Sequence, residues 1–260
     1  MKKDTCLHQS GALVSPRQVK KIVKKGYSKI VSEKKFCNCS CSSDMDVEKI
    51  SKSIGYSSDD INSVPDANLG LGCGNPLSMS NIKSGDVVLD LGSGAGFDCF
   101  LASIRVGGSG KVIGVDMTPK MIKKAKEIAK KYDYKNVKFK LGDIEKLPIE
   151  NNSIDIIISN CVINLSSNKL KVFKEIKRVL KKTGKAYISD IVLLKKLSKE
   201  QMEDEYLIIG CVGGALLKKD YLKIIESAGL KAKILFEDKE ISKRQYQGIA
   251  LESLKLELSK

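Results

Sequence analysis

The stretch "DVVLDLGSGAGFDCF", residues 86–100, decides how the rest of the chain folds. Val87, Val88, Leu89 and Leu91 form an apolar run of strand length, broken only by Asp90. Glycines at 92, 94 and 96 then let the backbone turn sharply and come close to a ligand. A helix is expected from about Asp98 to Val106, with its first amide groups aimed back at the turn. Strand, glycine turn and helix together make one half of a βαβ unit.

Working outward, the same alternation recurs. Strands are expected at 111–117, 137–143, 153–160 and 185–194, with helices at 119–131 and 168–181 between them. Strands that are apolar on both faces and separated by helices of this length indicate a parallel sheet covered on both sides. The tail adds helices near 198–209 and 218–228 and weaker strands near 232–236 and 248–256. Ahead of the sheet, apolar residues at helical spacing from Val19 to Val31 predict a helix over 16–34, interrupted near Gly26. A second short helix runs to Ile54, and residues 55–76 read as turns with at most one helical turn around Ile61. The fold class is therefore α/β, a doubly wound and mostly parallel sheet with an N-terminal helical, cysteine-rich extension.

Composition narrows the possible functions. The formal charge is +15, yet all but four of the 46 Lys and Arg residues are lysines. Readers of nucleic acid favour arginine for two-pronged contacts, so the lysines are assigned to solvated helix faces. There is no apolar run of the ~20 residues needed to cross a bilayer. The first residues carry lysines without an apolar stretch behind them, so a cytoplasmic location is expected. The only histidine is His8, which leaves the body of the protein without an imidazole base or metal ligand.

Acidic residues close three successive strands. Asp90 precedes the glycine turn, Asp116 ends the second strand and Asp143 the third. A carboxylate in the place of Asp116 accepts both hydroxyls of a ribose. The G-x-G-x-G spacing, with an acid ahead of it, suits a cationic ligand better than a pyrophosphate. S-adenosylmethionine, with a sulfonium, an ammonium and no phosphate, fits that description. The expected donor site comprises Asp90, Gly92, Ser93, Gly94, Gly96, Asp98, Asp116, Met117, Asp143, Ile144 and Asn160.

The eight cysteines are the other unusual feature, and a reducing compartment argues against a disulfide framework. Cys99 lies in an apolar helix and is expected to pack, as free thiols usually do. Cys161 follows the fourth strand, at the carboxyl edge of the sheet where ligands sit in doubly wound folds. Cys73, in a loop before the first strand, and Cys211, in "GCVGGA", can reach the same edge. Three thiols there would suit a soft, thiophilic substrate.

The segments "NLGLGCGNP", "DLGSGAGFDCF", "GVDMTPKM", "SNCVINLS" and "GCVGGALL" together resemble microbial arsenite S-adenosylmethionine methyltransferases. The resemblance implies a class I methyltransferase sheet of seven strands over residues 68–260, with residues 1–67 as the extension. It implies that trivalent arsenic is held by Cys73, Cys161 and Cys211. It also implies redox cycling through an N-terminal cysteine, for which Cys37, Cys39 and Cys41 are all candidates, with thioredoxin or a small thiol as the reductant. No metal cofactor is expected. Arsenic attacks through its own lone pair, so no general base is called for.

Rival readings remain at this level. The same sheet could serve a methyltransferase for a small organic or lipid-like acceptor, with the thiols as packing. Alternatively "CNCSC" (37–41) could bind zinc or copper in a metal-binding protein, although three cysteines do not complete a tetrahedral shell.

Overall fold

The computed structural model describes residues 14–33 and 44–260. Seven strands make one sheet: β1 (Val87–Leu91), β2 (Lys111–Asp116), β3 (Val137–Leu141), β4 (Ile154–Asn160), β5 (Leu180–Leu193), β6 (Lys231–Asp238) and β7 (Leu251–Ser259). Their order is β3-β2-β1-β4-β5-β7-β6. β1 to β5 are mutually parallel, while β7 runs antiparallel between β5 and β6.

Helices α1 (Pro16–Glu33), α2 (Asp44–Ser53), α3 (Ser58–Ser63) and α4 (Pro76–Met79) precede the sheet. Helices α5 (Phe97–Val106), α6 (Pro119–Lys131), α7 (Lys169–Val179), α8 (Lys199–Glu203), α9 (Glu205–Ile209), α10 (Lys218–Ser227) and α11 (Ile241–Gln245) connect the strands. Each crossover helix turns an apolar stripe inward. In α6, Met121, Ile122, Ala125 and Ile128 are buried while the lysines face water. Burying such side chains contributes roughly 1.5–3 kcal/mol for each large one. Core packs on both faces of the sheet, and Val23, Ile54 and Tyr56 join the buried cluster on one of them.

The strand order reverses between β1 and β4, and there the parallel strands end side by side. Leu91 is level with Val115 and Ser159, and Asp116 with Leu141. This crevice at the carboxyl ends is where doubly wound sheets take ligands.

Four local expectations need correction. Gly26 does not interrupt α1, which is one continuous helix. Its missing Cβ serves packing instead, since an added one would lie 2.5 Å from Ile209 Cδ1. The expected helix at 198–209 is two short ones, divided at Asp204, whose extended backbone (ψ 119°) ends α8 while its side chain caps α9 by accepting from Leu207 N. Residues 55–76 hold more helix than the turn residues suggest, because Ser57 and Asp60 form a reciprocal capping box on α3. β5 starts at Leu180, five residues before the expected strand, and pairs there with Ile154 across a register shift.

Candidate functional site

A cleft of about 1600 Å³ opens over the crevice. Its floor is the glycine turn. Gly92 and Gly94 both have positive φ (67° and 52°), where L side chains are strained. A Cβ on Gly92 would sit 2.2 Å from Val162, so the turn presses directly on the segment carrying Cys161. Gly96 serves the interior, because a Cβ there would strike Phe139 and Phe100, and it does not line the cleft. The Ser93 hydroxyl in this turn is buried without a partner. Such an orphan polar atom marks a place where a ligand completes the hydrogen bonding.

The acids gather as the sequence suggests. Asp90, Asp98, Asp116 and Asp143 all line the cleft, as do Met117, Ile144 and Asn160. Asp116 is held by two backbone donors, Thr118 N at 2.7 Å and Gly94 N at 3.0 Å. Burial raises its pKa, and those two amides temper the rise. Burial drives the Asp90 carboxyl well above its ordinary range, and the neighbouring Asp98 adds to it. Asp98 is lifted by burial to about 6, against the opposing hydrogen bonds of Tyr56 and Asn160. Two buried carboxylates that repel each other make a site for a cation, inside a protein whose formal charge is +15. The carboxylates, the orphan hydroxyl and the glycine cradle all fit S-adenosylmethionine.

Three contacts at this end were not legible in the sequence. Tyr56 donates to Asp98 Oδ1 at 2.6 Å and accepts from Asn160 Nδ2 at 3.0 Å. Cys99, expected only to pack, donates its thiol to Asp90 Oδ2 at 3.2 Å. Lys20 reaches down from α1 to Asp143 Oδ2 at 2.7 Å and Glu145 Oε2 at 2.8 Å. No motif marks Lys20, which is one lysine among many on a solvated-looking helix.

The three thiols come together at the other end. Cys73, Cys161 and Cys211 are all buried, Cys161 influences the ionisation of both others, and the Cys211 thiol donates to Cys161 O at 2.5 Å. Cys161 and Cys211 line the cleft, whereas Cys73 does not. The Cys73 thiol is raised by burial, less the help of its hydrogen bond with Cys161. Cys161 gains from its bond with Cys211, but the contact with Cys73 and burial still push it well up. Cys211 is pushed well up by its bond to Cys161 and by burial. Among the described residues no group of three His, Cys, Asp or Glu forms a preset metal cage.

Backbone strain accompanies the thiols. Cys161 (φ 57°) and Cys211 (φ 65°) are left-handed, a conformation in which a non-glycine residue is held only by its surroundings. Cys161 N is fixed by Ser189 O at 2.8 Å, Cys73 N by Asn160 Oδ1 at 3.1 Å and Cys73 O by Ser253 Oγ at 2.7 Å. Asn160 therefore touches both ends of the cleft, binding Tyr56 with its amide nitrogen and the Cys73 loop with its oxygen. Tyr27 of α1 closes the thiol end, donating to Ile209 O at 3.2 Å with Cys211 Sγ 4.0 Å away. Cys37, Cys39 and Cys41 lie outside the described residues.

Comparison with known proteins agrees with this geometry. A family model described as a methyltransferase domain matches residues 82–229. The crystal structure of an arsenic (III) S-adenosylmethionine methyltransferase from Chlamydomonas reinhardtii superposes with a TM-score of 0.65 at 31% identity, covering 81% of this chain and 73% of that one. The chain belongs to the arsenic(III) S-adenosylmethionine methyltransferase family. Several curated relatives bear the name arsenite methyltransferase. That of Halobacterium salinarum is 42% identical over 228 residues, which is 84% of this chain and 58% of the relative. That of Aquipseudomonas alcaligenes is 40% identical over 178 residues, or 66% of this chain and 51% of the relative. The chain thus spans about half the length of these curated relatives. No helix among the described residues is long and apolar enough to cross a membrane.

Proposed function

We propose that this protein methylates trivalent arsenic, taking the methyl group from S-adenosylmethionine and holding arsenite on Cys73, Cys161 and Cys211. The observation that carries the proposal is the placing of two thiols from separate chain segments on the wall of a carboxylate-lined cleft, with a third buried near them. Packing alone gives no reason to hold two of them in left-handed backbone.

Each residue then has a part. Asp90 and Asp98 receive the donor's ammonium, Asp116 its ribose, and Met117, Asp143 and Ile144 its adenine. Gly92, Ser93 and Gly94 shape the cradle, Gly96 supports it from the core side, and Asn160 ties it to the Cys73 loop. Bound S-adenosylmethionine supplies an electrophilic methyl group on a sulfonium. At the other end, the thiols displace the three hydroxides of arsenite, each thiol proton leaving with a hydroxide as water. Cys73 and Cys211 must close on Cys161 to complete the pyramid. Tyr27 and the buried walls keep water from competing. The arsenic lone pair is the nucleophile, so no side chain has to remove a proton.

Methylation leaves arsenic formally pentavalent, and two electrons return it to the trivalent state. We assign that step to the cysteines at 37, 39 and 41, reset by thioredoxin or a small thiol, in a reducing cytoplasm.

The test is direct. Reduced protein with arsenite, S-adenosylmethionine and a thiol reductant should yield methylated arsenic, read by chromatography with mass detection. Cys161→Ser is nearly isosteric, but its hydroxyl is a much harder ligand that stays protonated. That variant should stay folded and bind the donor while losing arsenite methylation by orders of magnitude. Turnover at the parent rate would show that the thiol only fills space.

A further inference from the structure

A buried carboxylate on the strand that anchors the thiol segments takes no part in the scheme above. Asp190 lies on β5 and is 1% exposed. Its Oδ1 accepts from Asn164 Nδ2 at 3.0 Å and from Ile191 N at 3.1 Å, and its Oδ2 accepts from the Tyr221 hydroxyl at 2.9 Å. Burial opposes ionisation of this carboxyl group, and its three donors favour it.

β5 around Asp190 is also where all three cysteine segments are fastened. Cys161 N bonds to Ser189 O. Ser253, whose hydroxyl holds Cys73 O, is the cross-strand partner of Ile191. The loop after Cys211 returns to β5 through Leu193 N and Leu216 O at 2.7 Å. Asn164, three residues past Cys161, is itself a ligand of the carboxylate. Asp190 is accordingly felt by every thiol of the set, adding to the rise of each after burial and the thiols' own hydrogen bonds.

Charge moves during the proposed reaction. Arsenic bound by three thiolates is neutral, and the donor carries the positive charge on sulfur. As the arsenic lone pair forms the As–C bond, the C–S bond breaks and its electron pair stays on the donor's sulfur. The thioether left behind is neutral, and the positive charge is now on arsenic. In a site closed to water, a fixed negative charge near the place where positive charge develops lowers the barrier without any rearrangement.

We propose that Asp190 is the electrostatic counter-charge for arsenic in the methyl transfer, acting through space as a positioning residue on the strand to which the three thiol segments are fastened. The inference rests on the arsenic-methylating reading above. Lys169 is the neighbouring cation, also buried, with its ammonium donating to Ser166 O at 3.2 Å. Burial lowers Lys169 to about 8 and raises Asp190 to about 7, each partly restrained by the other. Tyr221 and the cysteines, the other titratable groups facing Asp190, are held protonated through this range until arsenic binds. Both Asp190 and Lys169 make the surroundings more negative as the pH rises.

Asp190→Asn keeps the shape and removes the charge. In single turnovers on protein preloaded with arsenite, at saturating donor, the variant should transfer methyl about tenfold or more slowly. Its dissociation constants for arsenite and for S-adenosylmethionine, and its melting temperature, should stay close to the parent's. The parent rate should climb between about pH 6 and 8, and the variant should lose most of that climb. An active parent matched within about twofold by Asp190→Asn overturns the inference alone. So does a rate lost only in step with arsenite binding, which would make Asp190 a shaping residue. Should the variant fail to fold, Tyr221→Phe, which removes one donor to the ionised carboxylate, decides, with a climb moved to higher pH supporting the counter-charge and an unmoved one overturning it. A parent that binds arsenite and never methylates it overturns both this inference and the reading beneath it.

Discussion

The Tyr56 hydroxyl stands 2.6 Å from Asp98 Oδ1 and holds that carboxylate against its own burial. Asp98 still titrates at about 6, so its charge is at stake within the working range of pH. Above that value the carboxylate attracts the donor's ammonium, and below it the attraction is lost. S-adenosylmethionine affinity should therefore fall as pH drops through about 6, by up to tenfold per unit. Tyr56→Phe removes a donor to the ionised form, so the fall should begin at higher pH. Calorimetric titrations between about pH 5 and 8 check both, and a flat affinity would remove Asp98 from the site.

Asp116 makes its own case. Its oxygens already take Gly94 N and Thr118 N, which aim the carboxylate at the cleft. Asp116→Ala should weaken donor binding by about 1.5–3 kcal/mol, the worth of a charged hydrogen bond. Unchanged affinity by calorimetry would refute the ribose assignment.

Cys99 separates two substitutions of similar size. Serine retains a donor toward Asp90, so Cys99→Ser should bind S-adenosylmethionine within about twofold of the parent. Alanine removes the donor and leaves Asp90 still harder to ionise, so Cys99→Ala should bind more weakly. Equal affinities for the two variants would return Cys99 to plain packing.

Lys20 links α1 to a partly exposed Asp143 and a buried Glu145. Lys20→Met should lower stability by about 1–3 kcal/mol, because it leaves the buried Glu145 without its cation. Amide exchange should also quicken along α1, which loses its tie to the donor end of the cleft. Unaltered exchange in α1 would show that its packing against α9 is sufficient.

Replacing Cys37, Cys39 and Cys41 together should spare methylation of an already monomethylated trivalent arsenical, because the proposed transfer uses the other three thiols. Rates from arsenite and from the methylated substrate, measured side by side, test the division. Equal loss of both steps would contradict it.

Much of the fold could be read from local pattern. β1, the glycine turn and α5 announce themselves because apolar run, glycines and helix follow one another within twenty residues. The acids are equally plain, since strand ends fix where they point. What escaped was long-range. Cys99 touches Asp90 across one turn of structure, but Tyr56 meets Asp98 from 42 residues away and Lys20 meets Asp143 from 123 away. A lysine on a lysine-rich helix carries no local signal of such a partner. Gly26 misled for a related reason, because a packing glycine and a helix-breaking one look alike until the opposing Ile209 is known.

The left-handed backbone at Cys161 and Cys211 bears on how such a site can persist. Each holds an L side chain where it costs roughly 1–2 kcal/mol, and glycine would relieve that strain. A drift toward glycine at either place would therefore make the folded protein sturdier while removing a ligand. On the proposed role, stability selection alone erodes these two thiols, and only exposure to the substrate holds them in the sequence. A lineage freed from that exposure should lose the chemistry by becoming more stable, with the sheet, the cradle and the donor site left standing.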